Sequence, residues 1–216
     1  EITVYLCLSA TKTVSSVFHL NNANVNCELC ILLSGQQIKH DPTPTYLGVT
    51  LDRSLTFYNH LKKTASKLST QSNLLCKLAG LTCSASAQTL RTSALAFCYL
   101  TAEYCTPVWA QSSHTKLIDV YLNTTMRIIS GTLCPLLWLP VLSNIYPPHL
   151  RCQEATTKVL AKVNASEKLP LYMAITSHPA VRLTSRRPIW LGLMPDDMTA
   201  FSAWSIERSS TDAVNH

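Results

Sequence analysis

Hydrophobic positions change their period along the chain. In the first forty-odd residues they come in short runs, Ile2 to Leu8, Val14 to Leu20 and Cys27 to Leu33, separated by small and polar residues. Such runs predict strands, with Ser9-Ala10-Thr11-Lys12-Thr13 as one turn and Ser34-Gly35-Gln36-Gln37 as a hairpin turn leading to Ile38. Pro42 and Pro44 interrupt the pattern before Tyr46-Leu47-Gly48-Val49-Thr50-Leu51-Asp52. From Phe57 the repeat becomes helical. Leu61, Ala65, Leu68, Ser72, Leu75 and Ala79 fall on one stripe, which predicts a helix over Tyr58 to Ala79, about 33 Å long, with Gly80 as its C′ residue.

The same periodicity predicts three more helices. One starts near Ser84 or Ser86, turns Leu90, Ala94, Phe97 and Thr101 inward, and ends before Pro107. The next runs from about His114 to Ser130, capped by Ser113 and stopped by Gly131. Cys134 to Tyr146, with Pro135 and Pro140, predicts an extended connector; Pro147-Pro148 then opens a helix with Leu150, Val159, Leu160 and Val163 as apolar positions. After Pro170 the pattern thins. Arg182 to Pro188 is basic, Trp190 and Trp204 stand alone, and the tail from Ser205 is polar and expected to be disordered. The fold class is α+β, short N-terminal strands and a hairpin followed by a mainly α-helical region.

Composition narrows the setting. Only 14% of the 216 residues are charged, against about 25% in an average soluble domain, so an apolar face is expected to serve a partner or missing chain. No apolar run approaches the roughly 20 residues of a membrane helix, and Glu1-Ile2-Thr3-Val4 lacks a basic n-region, so the expected setting is intracellular, cytoplasmic or nuclear, without membrane or secretion. The first residue is not Met, which fits a truncated reading frame. Nine Cys in apolar surroundings, as in Leu6-Cys7-Leu8, read as small hydrophobes of a reducing compartment. Only Cys27-Glu28-Leu29-Cys30 has ligand spacing, with His19 and His40 able to complete a zinc set. A strand there would send Cys27 and Cys30 to opposite faces, so no metal site is expected.

Charge is distributed unevenly. The fifty residues Arg53 to Ala102 hold six Lys or Arg and no carboxylate, and the other twelve basic residues balance the twelve acids of the chain. The formal +6 is therefore confined to one window, as a phosphate backbone would require. Lys62, Lys63, Lys67 and Lys77 lie opposite the Leu61, Leu68, Leu75 stripe of the first helix, giving one face for a core and one for phosphate. A solvated lysine face has the same pattern, and the missing counter-charges tilt the choice toward nucleic acid.

Several blocks, taken in order, carry a resemblance. Tyr46-Leu47-Gly48-Val49-Thr50-Leu51-Asp52, Leu90-Arg91-Thr92, Ala102-Glu103-Tyr104-Cys105-Thr106-Pro107-Val108-Trp109 with Ser113-His114, Arg127-Ile128-Ile129-Ser130-Gly131, and Leu139-Pro140-Val141-Leu142 before Ile145-Tyr146-Pro147 resemble the C-terminal part of a non-LTR retrotransposon reverse transcriptase, of the jockey-like LINE type. The resemblance covers roughly residues 9 to 190. It implies a palm remnant and primer-grip hairpin over 1–56, a helical thumb over 57–131, a helical connector over 132–190 and a polar tail over 191–216. It implies an RNA template and DNA primer duplex as partner, together with the palm and fingers of a parent polypeptide. Tyr46, Leu47 and Gly48 then correspond to the primer grip, where glycine admits the backbone to the primer end. Arg53, Lys62, Lys63, Lys67, Lys77 and Arg91 become candidate nucleic-acid contacts. Lys12, in Thr11-Lys12-Thr13 before Phe18-His19-Leu20, resembles a palm-turn lysine near the leaving pyrophosphate; an ordinary exposed turn lysine fits the same residues, and Leu8-Ser9-Ala10-Thr11 departs from the family's lead.

Nucleotidyl transfer needs clustered carboxylates around two Mg²⁺ ions, which the family draws from a Tyr-Ala-Asp-Asp turn and an upstream Asp. Neither is in this chain, whose only acid pair, Asp196-Asp197, reads as a helix cap. Mg²⁺ is thus implied for the complete polymerase and no cofactor is expected in this chain. Two functional readings remain open beside a decayed copy without a role: part of an RNA-directed DNA polymerase that grips template and primer, or a non-catalytic nucleic-acid-binding protein.

Overall fold

A computed structural model describes residues 9–19, 27–80 and 84–176, and the chain divides into two units, Glu1–Lys63 and Thr64–His216. The architecture is α+β, short paired strands followed by helices. Among the described residues no helix is long and apolar enough to cross a membrane. The run Ile2 to Leu8 and everything beyond Thr176, including Arg182 to Pro188, Trp190, Asp196-Asp197 and Trp204, lie outside the described residues.

The strands of the first unit are two residues each. β1 (Val14–Ser15) pairs in parallel with β4 (Lys39–His40), Val14 opposite Lys39. β2 (Leu32–Leu33) and β3 (Gln36–Gln37) form an antiparallel hairpin, as do β5 (Thr45–Tyr46) and β6 (Val49–Thr50). Both hairpins turn on two residues with positive φ: Ser34 (52°) and Gly35 (79°) in one, Leu47 (45°) and Gly48 (79°) in the other. Paired positive φ marks the type I′ turn, whose twist matches that of the strands it joins. The turn predicted over Ser34 to Gln37 is therefore shorter than expected, because Gln36 and Gln37 belong to the returning strand. Cys27 to Ile31 carries no regular structure, where a strand over Cys27 to Leu33 was expected.

Helix α1 (Tyr58–Ala79) matches the predicted span. Its stripe is buried from Leu61 through Leu68 to Leu75, while Ala79 at the last position is exposed. In the second unit, Ser86 caps α2 (Ala87–Ala94), its side-chain oxygen accepting from the Thr89 N–H at 3.2 Å. The helix then widens into a π segment, Leu95–Tyr99, before α3 (Leu100–Glu103). The wider turn takes in an extra residue and rotates the side chains beyond it about the helix axis. Leu90 and Ala94 face inward as predicted, but the next buried residues are Cys98, Tyr99 and Ala102, while Phe97 is half exposed and Thr101 lies at the margin. Ideal helical counting had placed Phe97 and Thr101 inside.

The chain turns at Cys105 (φ 52°) into α4 (Thr106–Trp109). Helix α5 (Lys116–Ser130) begins two residues later than predicted, with Thr115 rather than Ser113 before its first turn and no side-chain cap; Gly131 (φ 63°) ends it as expected. The predicted extended connector contains a short helix, α6 (Leu139–Ser143), with Pro140 in its first turn, where the missing N–H has no helical partner to lose. α7 (Pro148–Asn164) buries Leu150, Leu160 and Val163 but leaves Val159 exposed, and α8 (Pro170–Thr176) comes after it. Within this unit α5 packs on α6, α2 and the π segment, while α7 packs on α4, α3 and α8.

Candidate nucleic-acid interface

In the first unit the hairpin of β5 and β6 is tied down at one end and open at the other. Thr50 is buried and makes three bonds: its N–H donates to His60 Nδ1 at 3.4 Å, its hydroxyl accepts from Lys63 Nζ at 3.2 Å, and that hydroxyl lies 3.4 Å from Thr45 Oγ1. Asp52 then gathers the chain ahead of α1, one carboxylate oxygen accepting from the Thr56 N–H at 2.7 Å and the other from the Thr56 hydroxyl at 2.7 Å and the Tyr58 N–H at 3.2 Å. A carboxylate at a helix start satisfies unpaired N–H groups and meets the positive end of the dipole. The free end of the hairpin is its tip. Tyr46 is 68% exposed and Leu47 72%, so this Tyr-Leu-Gly segment is not core. Gly48 supplies the positive φ of the turn, a backbone role beside the one expected of it at a primer end.

The basic candidates of this unit divide. Arg53 clasps His19, its guanidinium reaching the ring Nδ1 at 3.2 Å and the carbonyl at 3.4 Å, while the Arg53 carbonyl accepts from the His19 N–H at 3.0 Å. Arginine only donates, so His19 Nδ1 is the acceptor of that bond. Lys63 is exposed along its stem but spends a bond on Thr50. Lys62 is exposed, with no hydrogen bond or ion pair among the described residues. Lys12 projects from a tight turn closed by the Lys12 and Thr13 N–H groups on the Ser9 carbonyl.

In the second unit Lys67 and Lys77 are exposed, also without an ion pair among the described residues. Ser66, Thr70 and Asn73 are exposed on the same side of α1. These uncharged donors went unremarked in the sequence; the signal was hydroxyl and amide side chains at three- and four-residue steps between the lysines. Arg91 is occupied, its Nε donating to the Asn144 carbonyl at 3.0 Å, just past the C-terminus of α6. That contact makes Arg91 a clamp between α2 and α6.

The Ala102 to Trp109 block is explained by packing. Glu103 forms a bidentate ion pair with Arg151 of α7, one arm at 3.0 Å, and the Arg151 guanidinium lies 5.1 Å from the centre of the Tyr99 ring. Burial opposes the arginine's charge, but the hydrogen bond and charge of Glu103 outweigh it and raise its pKa. Thr106 closes the corner on the Glu103 carbonyl at 2.6 Å, and buried Trp109 donates its indole N–H to the Tyr104 carbonyl at 2.8 Å. Burial pushes the Tyr99 phenol well above its usual range, and its hydroxyl has no hydrogen-bond partner among the described residues.

A cleft of about 320 Å³ opens beside this corner, lined by Trp109, Asp119, His149, Cys152 and Gln153 among others. Burial pushes the Cys152 thiol up to about 12, reinforced by Asp119 and Glu103. A thiol held protonated at neutral pH is a poor nucleophile, and Cys152 carries no activating charge partner in this cleft. Among the described residues no three His, Cys, Asp or Glu side chains stand together to hold a metal ion. That donor set does not fit the Mg²⁺ pair of a nucleotidyl transferase. Cys27 and Cys30, the pair with zinc-ligand spacing, are both free and exposed. No family model, no curated protein and no solved structure matches the chain.

Proposed function

We propose that this chain is the end of the palm, the primer grip, the thumb and the connector of a non-LTR retrotransposon reverse transcriptase, contributing the grip on template and primer rather than the chemistry. The observation that carries the reading is the Tyr46 to Thr50 hairpin. It is a two-residue turn flanked by an exposed aromatic strand residue, Tyr46, anchored by Thr50 and followed by a helix whose lysines face solvent without carboxylates to balance them. An exposed aromatic beside a turn offers a stacking face to an unpaired base or duplex end, and lysines on a helix offer phosphate contacts that carry no sequence information. The ordered sequence blocks supply the family and the polymerase assignment, and with them the RNA template, the DNA primer and the Mg²⁺ of the complete enzyme.

The chain on its own is expected to bind and not to polymerise. The test is binding of the full chain to an RNA–DNA duplex with a recessed primer end, against the same duplex made blunt. Tyr46→Ala should weaken binding to the recessed end about 5- to 100-fold, the range of one stacked base, and leave the blunt duplex unaffected. Equal loss on both, or none, would remove the grip assignment. Primer extension by the purified chain would overturn the non-catalytic part. The alternative, a stand-alone non-catalytic nucleic-acid-binding protein, keeps the lysine face and predicts no preference for a primer end.

A further inference from the structure

Among the described residues the two most exposed apolar side chains of the second unit, Leu133 and Leu137, lie between α5 and the end of α6. Leu133 is 94% exposed, Leu137 81% and Trp138 58%, and Leu136, Val141 and Leu142 are exposed beside them. α6 buries Leu139, Pro140 and Ser143 and turns the apolar side chains of Val141 and Leu142 outward. With a fully exposed leucine or tryptophan presenting roughly 200 Å² or more, these six residues expose on the order of 700 Å², more than the largest patch of a typical monomer and close to the ~800 Å² per partner of a stable interface.

Charge selects the occupant. From Ile128 to Pro148 there is no Lys, Arg, Asp, Glu or His. Arg91, beside the end of α6, is spent on the Asn144 carbonyl, so residues 133–142 offer a nucleic acid or an anionic lipid surface no basic side chain of their own, and a partner recognised by charge complementarity no charge to match. A twofold contact sets a patch against its own copy, so a charged patch repels itself, whereas an uncharged apolar one meets itself without like-charge opposition. We propose that the chain forms a symmetric dimer through the face of residues 133–142, which includes none of the lysines of α1.

The test is sedimentation velocity on the full chain from low to high micromolar concentration. The wild type is expected to dimerise. Leu137→Asp and Leu133→Asp, at side chains that make no core, should each weaken self-association at least roughly a hundredfold while leaving the helical circular dichroism unchanged. Phe97→Asp, on the exposed side of the π segment, is the control and should leave the dimer intact. A wild type that stays monomeric throughout, or a dimer insensitive to Leu133 and Leu137, would overturn the proposal, as would loss of the dimer in the Phe97 variant alone.

Discussion

Among the described residues of Glu1–Lys63 the buried apolar side chains are Ile38, Val49 and Leu61, and the local shape is set by hydrogen bonds and positive-φ turns around Ser15, Thr50, Asp52 and His60. In Thr64–His216 the helices instead share a continuous interior from Leu68 and Leu75 through Tyr99, Trp109, Ile118 and Met126 to Leu139 and Leu160. Polar side chains enter that interior singly on backbone carbonyls, as Thr106 does on Glu103 at 2.6 Å, or as a pair, where Ser72 and Thr125 stand 3.4 Å apart beside Cys98. The two units are therefore vulnerable in different ways. A hairpin fixed by a few polar bonds is sensitive to single atoms, while a packed helical interior is sensitive to volume.

The most damaging substitution on this view is Trp109→Ala, which empties a fully packed site and should cost about 3–5 kcal/mol in denaturant unfolding followed by helical circular dichroism. A loss under about 1 kcal/mol would mean that packing in the helical interior does not govern the stability of this unit. Thr50→Val keeps the β-branched shape and removes only the hydroxyl shared by Lys63 and Thr45; about 0.5–1.5 kcal/mol is expected, read as faster amide exchange across Thr45–Thr50. Unchanged exchange there would show that the hydroxyl is not an anchor. Leu47→Gly relieves a non-glycine residue of its positive φ and should make the turn more favourable by about 0.5–1 kcal/mol, while removing the apolar tip of the proposed grip. Slower exchange at the turn with weaker primer-end binding is the expected pairing.

A pH dependence in the second unit should be weaker still. Burial raises the Asp119 carboxyl, with His149 and Lys116 only partly opposing it. A carboxyl whose folded-state pKa is raised favours the fold below its unfolded value, near 4, and this contribution is lost as pH rises through the raised value. Asp119→Asn removes that loss, so variant and wild type should converge at low pH and the variant should gain relative stability as pH climbs past about 4. Urea unfolding of both across that range checks it, and a constant difference would refute the burial argument.

Sequence periodicity located α1 because one apolar stripe runs unbroken from Leu61 to Leu75 and Gly80 comes after the last turn. It misplaced Phe97 because a one-residue π insertion leaves no periodic trace, and it missed α6 because five residues with a proline in the first turn look extended. The lysines of α1 were legible from spacing and from the absence of acids. The bonds held by Arg53, Lys63 and Arg91 were not, since their partners His19, Thr50 and Asn144 lie 34, 13 and 53 residues away along the chain. Those contacts leave Lys62, Lys67 and Lys77 as the basic candidates of α1 with no bond or ion pair among the described residues.

Whether these lysines hold a nucleic-acid backbone is decided by the affinity of the full chain for an RNA–DNA duplex across a salt series. The wild type should give a slope of log K against log salt of roughly −3 to −4, as for about four neutralised phosphates. Lys62→Glu, Lys67→Glu and Lys77→Glu together should bring the slope to about −1 or less and weaken binding at low salt by a hundredfold or more. Affinity and slope unchanged in the triple variant would show that the lysine face of α1 does not bind phosphate.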